Sequence, residues 1–238
     1  MTEWFQEWFG EEYLHLYPHR DEADAERLVT LIRRSIPWRD GWRVLDVGCG
    51  AGRHSGALLR AGARPIGLDL SASLLGRAKE VPGLPLVRAD MRLLPIREAC
   101  TDLTVNLFTS FGYFATDQEH HAALDGMART VRPGGWFVMD YLNDDQVRAS
   151  LVARETVEVG GREFDITRRL ADNGAYIEKT IDIPSGRRFT ERVRLFSPAM
   201  LESMLAASGV GVTQRFGDYD GAPLGPGVRR CILVGRRA

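Results

Sequence analysis

Apolar and polar positions along this chain follow two regimes. Up to about residue 142, short apolar runs alternate with longer stretches whose apolar residues recur every three or four positions. Each short run predicts a buried strand and each periodic stretch a helix. Val44, Leu45 and Val47 mark the first strand, and residues 65–69, 84–90, 101–108 and 136–142 mark four more. Trp4, Phe5, Trp8, Phe9, Tyr13, Leu16 and Tyr17 predict an aromatic-faced helix ending before Pro18. Leu28, Leu31 and Ile32 give a helix over 22–36, stopped by Pro37. Further helices are expected over 53–61, from a Ser71 cap to about 79, and over 117–130.

From about residue 151 the pattern becomes alternating and β-branched, over 155–159, 163–170, 176–183 and 188–196. Gly160-Gly161, Asn173-Gly174 and Ser185-Gly186 punctuate it as hairpin turns. This predicts an antiparallel insertion of three or four strands. Ser197-Pro198 then starts a helix reaching about Ser208, and strands over 210–216 and 228–234 complete the main sheet as a hairpin-like pair. The fold class is therefore α/β.

The first strand runs straight into glycines at every second position: Gly48, Gly50 and Gly52. Such a turn lets a ligand approach the backbone closely, and the helix after it offers free N–H groups to an electron-rich group. A dinucleotide fingerprint would put its third glycine at position 53, which is Arg53, and no Gly-Lys-Ser/Thr follows to make a triphosphate loop. Instead, Asp46 opens an Asp-x-Gly-x-Gly-x-Gly pattern within the strand. Asp69 and Asp90 end the second and third strands. In an open parallel sheet both should overhang the same crevice, one suited to a ribose diol and the other to an adenine amino group.

These residues resemble the class I S-adenosylmethionine-dependent methyltransferases. Residues 44–52 resemble that family's first motif, Asp69 its ribose-binding acid, Asp90-Met91 its adenine-flanking pair, and Val131-Arg132-Pro133-Gly134-Gly135 the turn before its fifth strand. The resemblance implies a Rossmann-like seven-stranded methyltransferase sheet with an antiparallel β insertion, and S-adenosylmethionine as cofactor. It divides the chain into 1–145, a cofactor-binding core with an N-terminal helical lid; 146–196, the insertion, an acceptor lid or dimer surface; and 197–238, the final helix and strands. It implies cofactor contacts at Tyr17, Arg20, Asp46, Gly48, Gly50, Arg53, Asp69, Leu70, Asp90, Met91, Asn106 and Phe108. Tyr17 and Arg20 would lie near the methionine carboxylate. The layout is similar to small-molecule methyltransferases with an insertion after the fifth strand, including sugar-amine N,N-dimethyltransferases.

Acceptor-side residues are expected after the fourth strand. An Asn or Asp followed by Pro-Pro-Tyr/Phe there would mark amino groups on nucleobases or glutamine, but Leu107, Phe108 and Thr109 follow Asn106. Phe111 and Tyr113, with Tyr141 at the end of the fifth strand and Tyr219 in the loop 217–223, are the candidate acceptor contacts. A neutral amine acceptor needs no strong base. A hydroxyl acceptor needs one, for which His19, Tyr113 and Tyr219 are available. His54 reads as a structural residue. His120 and His121 are about 100° apart on a helix, so both cannot face one site.

Composition narrows the partners. A net charge of −1 over 238 residues gives no bulk attraction to nucleic acid or anionic lipid. No apolar run approaches the roughly 18 residues of a membrane helix, and the acidic, tryptophan-bearing start is unlike a signal peptide, so a cytoplasmic protein is expected. Cys49, Cys100 and Cys231 fit neither a disulfide framework nor a zinc site. The expected activity is methyl transfer to N or O of a small molecule by in-line displacement, with a homodimer possible. A peptide or RNA acceptor, or cofactor binding without transfer, remain the alternatives.

Overall fold

The computed structural model describes residues 3–17, 22–183 and 185–238. Strand β1 (Arg43–Val47) leads through the glycine loop to helix α4 (Arg53–Arg60), after α1 (Trp4–Trp8), α2 (Glu11–Leu16) and α3 (Glu22–Ser35). Then come β2 (Arg64–Asp69), α5 (Ala72–Ala78), β3 (Leu86–Arg88), β4 (Thr101–Asn106), α6 (Asp117–Thr130) and β5 (Val131–Leu142). A short helix α7 (Asp144–Ala149) precedes β6 (Arg154–Val159), β7 (Arg162–Ala171), β8 (Tyr176–Asp182) and β9 (Arg188–Arg194). Helix α8 (Pro198–Ala207), β10 (Val210–Phe216) and β11 (Arg230–Arg237) close the chain.

The main sheet is seven-stranded in the order β10-β11-β5-β4-β1-β2-β3. β3, β2, β1, β4 and β5 are parallel, and β11 inserts antiparallel between β5 and β10. Period-two alternation divides the strand residues between two cores. Leu45, Val47, Phe137, Met139 and Leu233 pack under α6 and α8, while Val44, Leu103, Val105, Val138 and Ile232 pack under α3 and α4. The parallel strands are thus apolar on both sides, which is why they read as continuous runs.

The insertion is a separate antiparallel sheet, β6-β7-β8-β9. Val159 pairs with Arg162 across Gly160 and Gly161, whose φ values of 59° and 73° suit the two-residue turn. Its apolar face, including Phe164, Ile166, Ile181 and Phe189, packs on Trp8, Tyr13 and Leu16 of the N-terminal helices. That face, one candidate for a dimer surface, is therefore covered from within the chain.

Several boundaries differ from expectation. The N-terminal helix is two helices, because Gly10 adopts an extended conformation at the start of α2. The break turns Phe9 and Trp4 toward Tyr113 and Trp8 toward Phe189. β5 begins at Val131, ahead of the glycine pair, with a register irregularity opposite Thr101 and Leu103. β11 starts two residues later than predicted, and α7 went unpredicted. Among the described residues, no helix is long and apolar enough to cross a membrane.

Candidate active site

A cleft of about 1730 Å³ lies over the carboxyl ends of β1, β2 and β4. Its floor is the glycine loop. Gly48, Gly50 and Gly52 have φ values of 75°, 56° and 81°, and Gly48 N–H and Cys49 N–H donate to the Leu68 carbonyl. A Cβ on Gly48 would meet Ser110 Cβ at 2.6 Å. Gly48→Val is therefore expected to lose donor binding and several degrees of Tm, read by calorimetry and thermal unfolding, because left-handed backbone alone costs about 1–2 kcal/mol.

Asp69 is held at the end of β2 by two backbone donors, Gly50 N–H to Oδ2 and Ser71 N–H to Oδ1, each at 2.8 Å. Burial raises its pKa, opposed by those N–H bonds. Both carboxylate oxygens stay acceptors at the cleft wall, the chemistry a ribose diol requires. Ser71 caps α5 and donates from Oγ to the Phe9 carbonyl, latching the N-terminal segment to the same loop.

Asp90 and Met91 line the cleft further along. Arg92 donates from its backbone N–H to Asp90 Oδ1 at 2.9 Å and from its guanidinium to both oxygens. Burial pushes the Asp90 carboxyl up, but the hydrogen bonds from Arg92 outweigh it and leave the pKa below the usual range. Arg92 also pairs with Glu3 and Glu119, tying the N-terminus to α6.

Phe5, Phe9, Tyr13 and Tyr17 of the N-terminal segment line the cleft. Phe9 and Tyr113 lie 5.5 Å apart, Trp4 and Tyr113 5.2 Å, and the Tyr113 hydroxyl donates to the Thr109 carbonyl. Phe108 also lines the cleft, with φ of 58°, the His54 ring 6.3 Å away and the Arg53 guanidinium 4.8 Å from its ring centre. Tyr17 lines the cleft and takes a hydrogen bond from Lys179 of β8. Gly48, Arg53, Leu70, Met91 and Phe108 also line it, and Gly50 joins through its N–H to Asp69. Arg20 and His19 lie outside the described residues.

Five predicted contacts lie elsewhere. Asp46 is buried and accepts from Ser55 Oγ at 2.6 Å, fastening α4 to β1 beneath the loop. Asn106 is buried and donates to the Val47 carbonyl at 2.9 Å, holding two strand ends together. Phe111 and Tyr141 are fully buried, and the Tyr141 hydroxyl donates to the Arg194 carbonyl where the insertion joins the core. Tyr219 is buried with its hydroxyl donating to Asp140 Oδ2 at 2.9 Å, and burial raises its pKa. Of the four proposed acceptor contacts, Tyr113 lines the cleft.

His54 lines the cleft too. His120 is a core residue: its Nε2 accepts from Phe114 N–H at 3.2 Å, and burial lowers its pKa. His121 is exposed. Phe5, Phe9, Tyr13 and Ser71 also line the cleft; the aromatic periodicity of the first 17 residues is the signal for the three rings, and the helix cap after Asp69 that for Ser71. No metal-binding group of His, Cys, Asp and Glu occurs among the described residues.

The methyltransferase-domain family profile matches residues 44–135, which contain the glycine loop and both strand-end acids. The cypemycin N-terminal methyltransferase of Streptomyces sp is 30% identical over 82% of this chain and 83% of its own. The chain belongs to the class I S-adenosylmethionine-dependent methyltransferases. This methyltransferase is also 29% identical to a dTDP-3-amino-3,4,6-trideoxy-alpha-D-glucopyranose N,N-dimethyltransferase of Streptomyces venezuelae, over 87% of this chain and 88% of that one. A sugar N-methyltransferase structure from Streptoalloteichus sp superposes with a TM-score of 0.70 at 27% identity, covering 96% of this chain and 93% of that one.

The site chemistry fits the family's donor. A carboxylate with both oxygens available at the cleft wall, a loop that a Cβ would obstruct, and apolar side chains of Leu70 and Met91 suit a ribose and an adenine ring. S-adenosylmethionine supplies an electrophilic methyl on a positively charged sulfur. Asp46 contributes from below. Burial pushes its carboxyl up to about 6 despite the Ser55 bond. A folded-state pKa above the unfolded one means the folded protein holds the extra proton, so stability falls as pH rises from about 4 to 6, by about 3 kcal/mol at most. Asp46→Asn removes this dependence, and its Tm relative to the parent is expected to rise over that window.

Proposed function

We propose that this methyltransferase transfers a methyl group to an amine nitrogen of a small molecule, with an amino sugar carried on a nucleotide as the leading acceptor class. The observation that carries this reading is the aromatic end of the cleft. Phe9, Phe108 and Tyr113 line the cleft, with Phe9 and Tyr113 5.5 Å apart, and on this reading the Phe9 and Tyr113 rings would lie beside the nitrogen as it takes up positive charge. An amine becomes an ammonium as its lone pair takes the methyl, and aromatic faces favour a cation by about 0.5–2 kcal/mol. Both named relatives act on amines by their names, one on an amino sugar and one on an N-terminus.

Asp69 would take the ribose diol, and Asp90 with Met91 would flank the adenine. Gly48, Gly50 and Arg53, with Tyr17 above, would hold the methionine part. Phe108 and Tyr113 would wall the line of attack. Bound there, S-adenosylmethionine would supply the methyl, the C–S bond breaking onto sulfur as the amine lone pair makes the C–N bond, and the product ammonium would lose its proton to solvent. Alignment of donor and acceptor in the cleft would supply most of the acceleration, since effective molarities in well-oriented reactions reach ~10⁵ M or more.

A peptide N-terminus is a second reading, favoured by the cypemycin relative. The two separate in a labelled-methyl assay offering a dTDP-amino sugar and a short peptide with a free N-terminus. Label on the sugar nitrogen is the expected result. Label on the peptide alone would replace the sugar reading with the second.

A further inference from the structure

The turn after β4 carries two consecutive non-glycine residues in left-handed backbone, Phe108 at φ 58° and Thr109 at φ 61°. Such backbone costs roughly 1–2 kcal/mol per residue, and β-branched Thr109 is a poor occupant of it. Something must hold the pair in place, and the holding groups lie behind the cleft. Phe108 N–H donates to Asp140 Oδ2 at 3.0 Å, and Thr109 N–H donates to the Asp140 carbonyl at 2.9 Å. Asp140, at the end of β5, is fully buried.

Two residues complete the clamp, Tyr219 from the connection between β10 and β11 and Arg230 from the start of β11, which pairs with β5. The Tyr219 hydroxyl donates to Asp140 Oδ2 at 2.9 Å, and Arg230 Nε donates to Oδ1 at 2.7 Å. Arg230 Nη2 also donates to Thr109 Oγ1 at 3.1 Å, while its guanidinium lies 5.4 Å from the Phe108 ring centre. These side-chain hydrogen bonds end on the 108–109 turn or on the carboxylate beneath it. The ring it presents is a wall of the cleft.

We infer that Asp140, Tyr219 and Arg230 are positioning residues, which hold Phe108 and Thr109 in their left-handed turn and so set the Phe108 ring against the bound donor. The inference rests on the donor site and not on the identity of the acceptor. Tyr219, expected to meet an acceptor, acts here through Asp140 on the turn.

Tyr219→Phe removes one hydroxyl and keeps the ring. Hydrogen exchange at the Phe108 and Thr109 amides is expected to quicken at least tenfold, and S-adenosylhomocysteine to bind three- to tenfold more weakly, with Tm lowered by only a few degrees. A second change, Thr109→Asn, supplies a residue that tolerates left-handed backbone and still offers an oxygen to Arg230. In the Tyr219→Phe background it is expected to restore slow exchange and most of the affinity, a rescue that lost packing at Tyr219 would not show. Should Tyr219→Phe fail to fold, Thr109→Val, which keeps shape but loses the bond from Arg230, is expected to show the same two losses. Parental exchange and affinity in the folded variant, or losses that Thr109→Asn does not reverse, would overturn the inference. Turnover of a dTDP-amino sugar, where the parent shows it, is expected to fall in kcat more than to change acceptor KM. A parent inactive on that sugar bears on the acceptor reading, and the exchange and affinity results still decide the clamp.

Discussion

Asp69→Ala is expected to weaken S-adenosylhomocysteine binding by at least 100-fold in calorimetry. The carboxylate sits at the cleft wall, fixed by Gly50 and Ser71 N–H groups, so it meets a ribose diol without reorganising. Hydrogen bonds to a charged group contribute about 1.5–3 kcal/mol each, and two give the stated loss. The substitution also strands two backbone donors, so some stability goes with it. Asp69→Asn, which retains one acceptor oxygen, separates the effects: it should stay folded and still bind weakly. The parent's affinity should also fall as pH drops through the raised Asp69 pKa, since hydroxyls bond a carboxylate better than a carboxylic acid. The asparagine variant should lack that dependence. Parental affinity in Asp69→Ala would remove the ribose contact from the account.

Trp8→Ala should unfasten the N-terminal lining of the cleft. Trp8 is 1% exposed, lies 4.8 Å from the Phe189 ring centre and 5.7 Å from Tyr13, and donates from its indole N–H to Glu191. Large-to-small changes at such positions cost about 3–5 kcal/mol. Here the loss falls on the docking of α1 and α2 against the insertion, where Tyr17 and Lys179 make a further link. Local opening is then expected ahead of global unfolding. Limited proteolysis should cut within the first 20 residues of the variant much faster than in the parent, and donor affinity should fall at least tenfold. Unchanged cleavage and affinity would mean that the N-terminal segment does not close the cleft.

The glycine loop and strand-end acids were legible because their chemistry is local. Left-handed backbone at Gly48, Gly50 and Gly52 and a carboxylate after an apolar run are fixed within a few residues. The alternating insertion was legible for the same reason, with its turns written in glycine pairs. The loop after β4 was not. Positive φ at Phe108, Thr109 and Gly112 rotates successive side chains away from any fixed period, so Phe111 enters the core while Tyr113 reaches the cleft. That Asp46 and Asn106 bond beneath the cleft and do not line it was not legible, for a related reason. A polar residue at a strand end either faces the ligand or ties the backbone beneath it, and the partners that decide this, Ser55 and the Val47 carbonyl, come from other segments. Tyr219 and Arg230 depend on contacts 79 and 90 residues away, beyond what any local pattern records.

The most direct measurement offers two matched acceptors with S-adenosylmethionine: a dTDP-3-amino sugar and its 3-hydroxy counterpart, followed by mass spectrometry. Methylation of the amine, with the hydroxyl compound unchanged, is the predicted result. Methylation of the hydroxyl compound, or of neither while S-adenosylhomocysteine binds, would contradict methyl transfer to the nitrogen of an amino sugar.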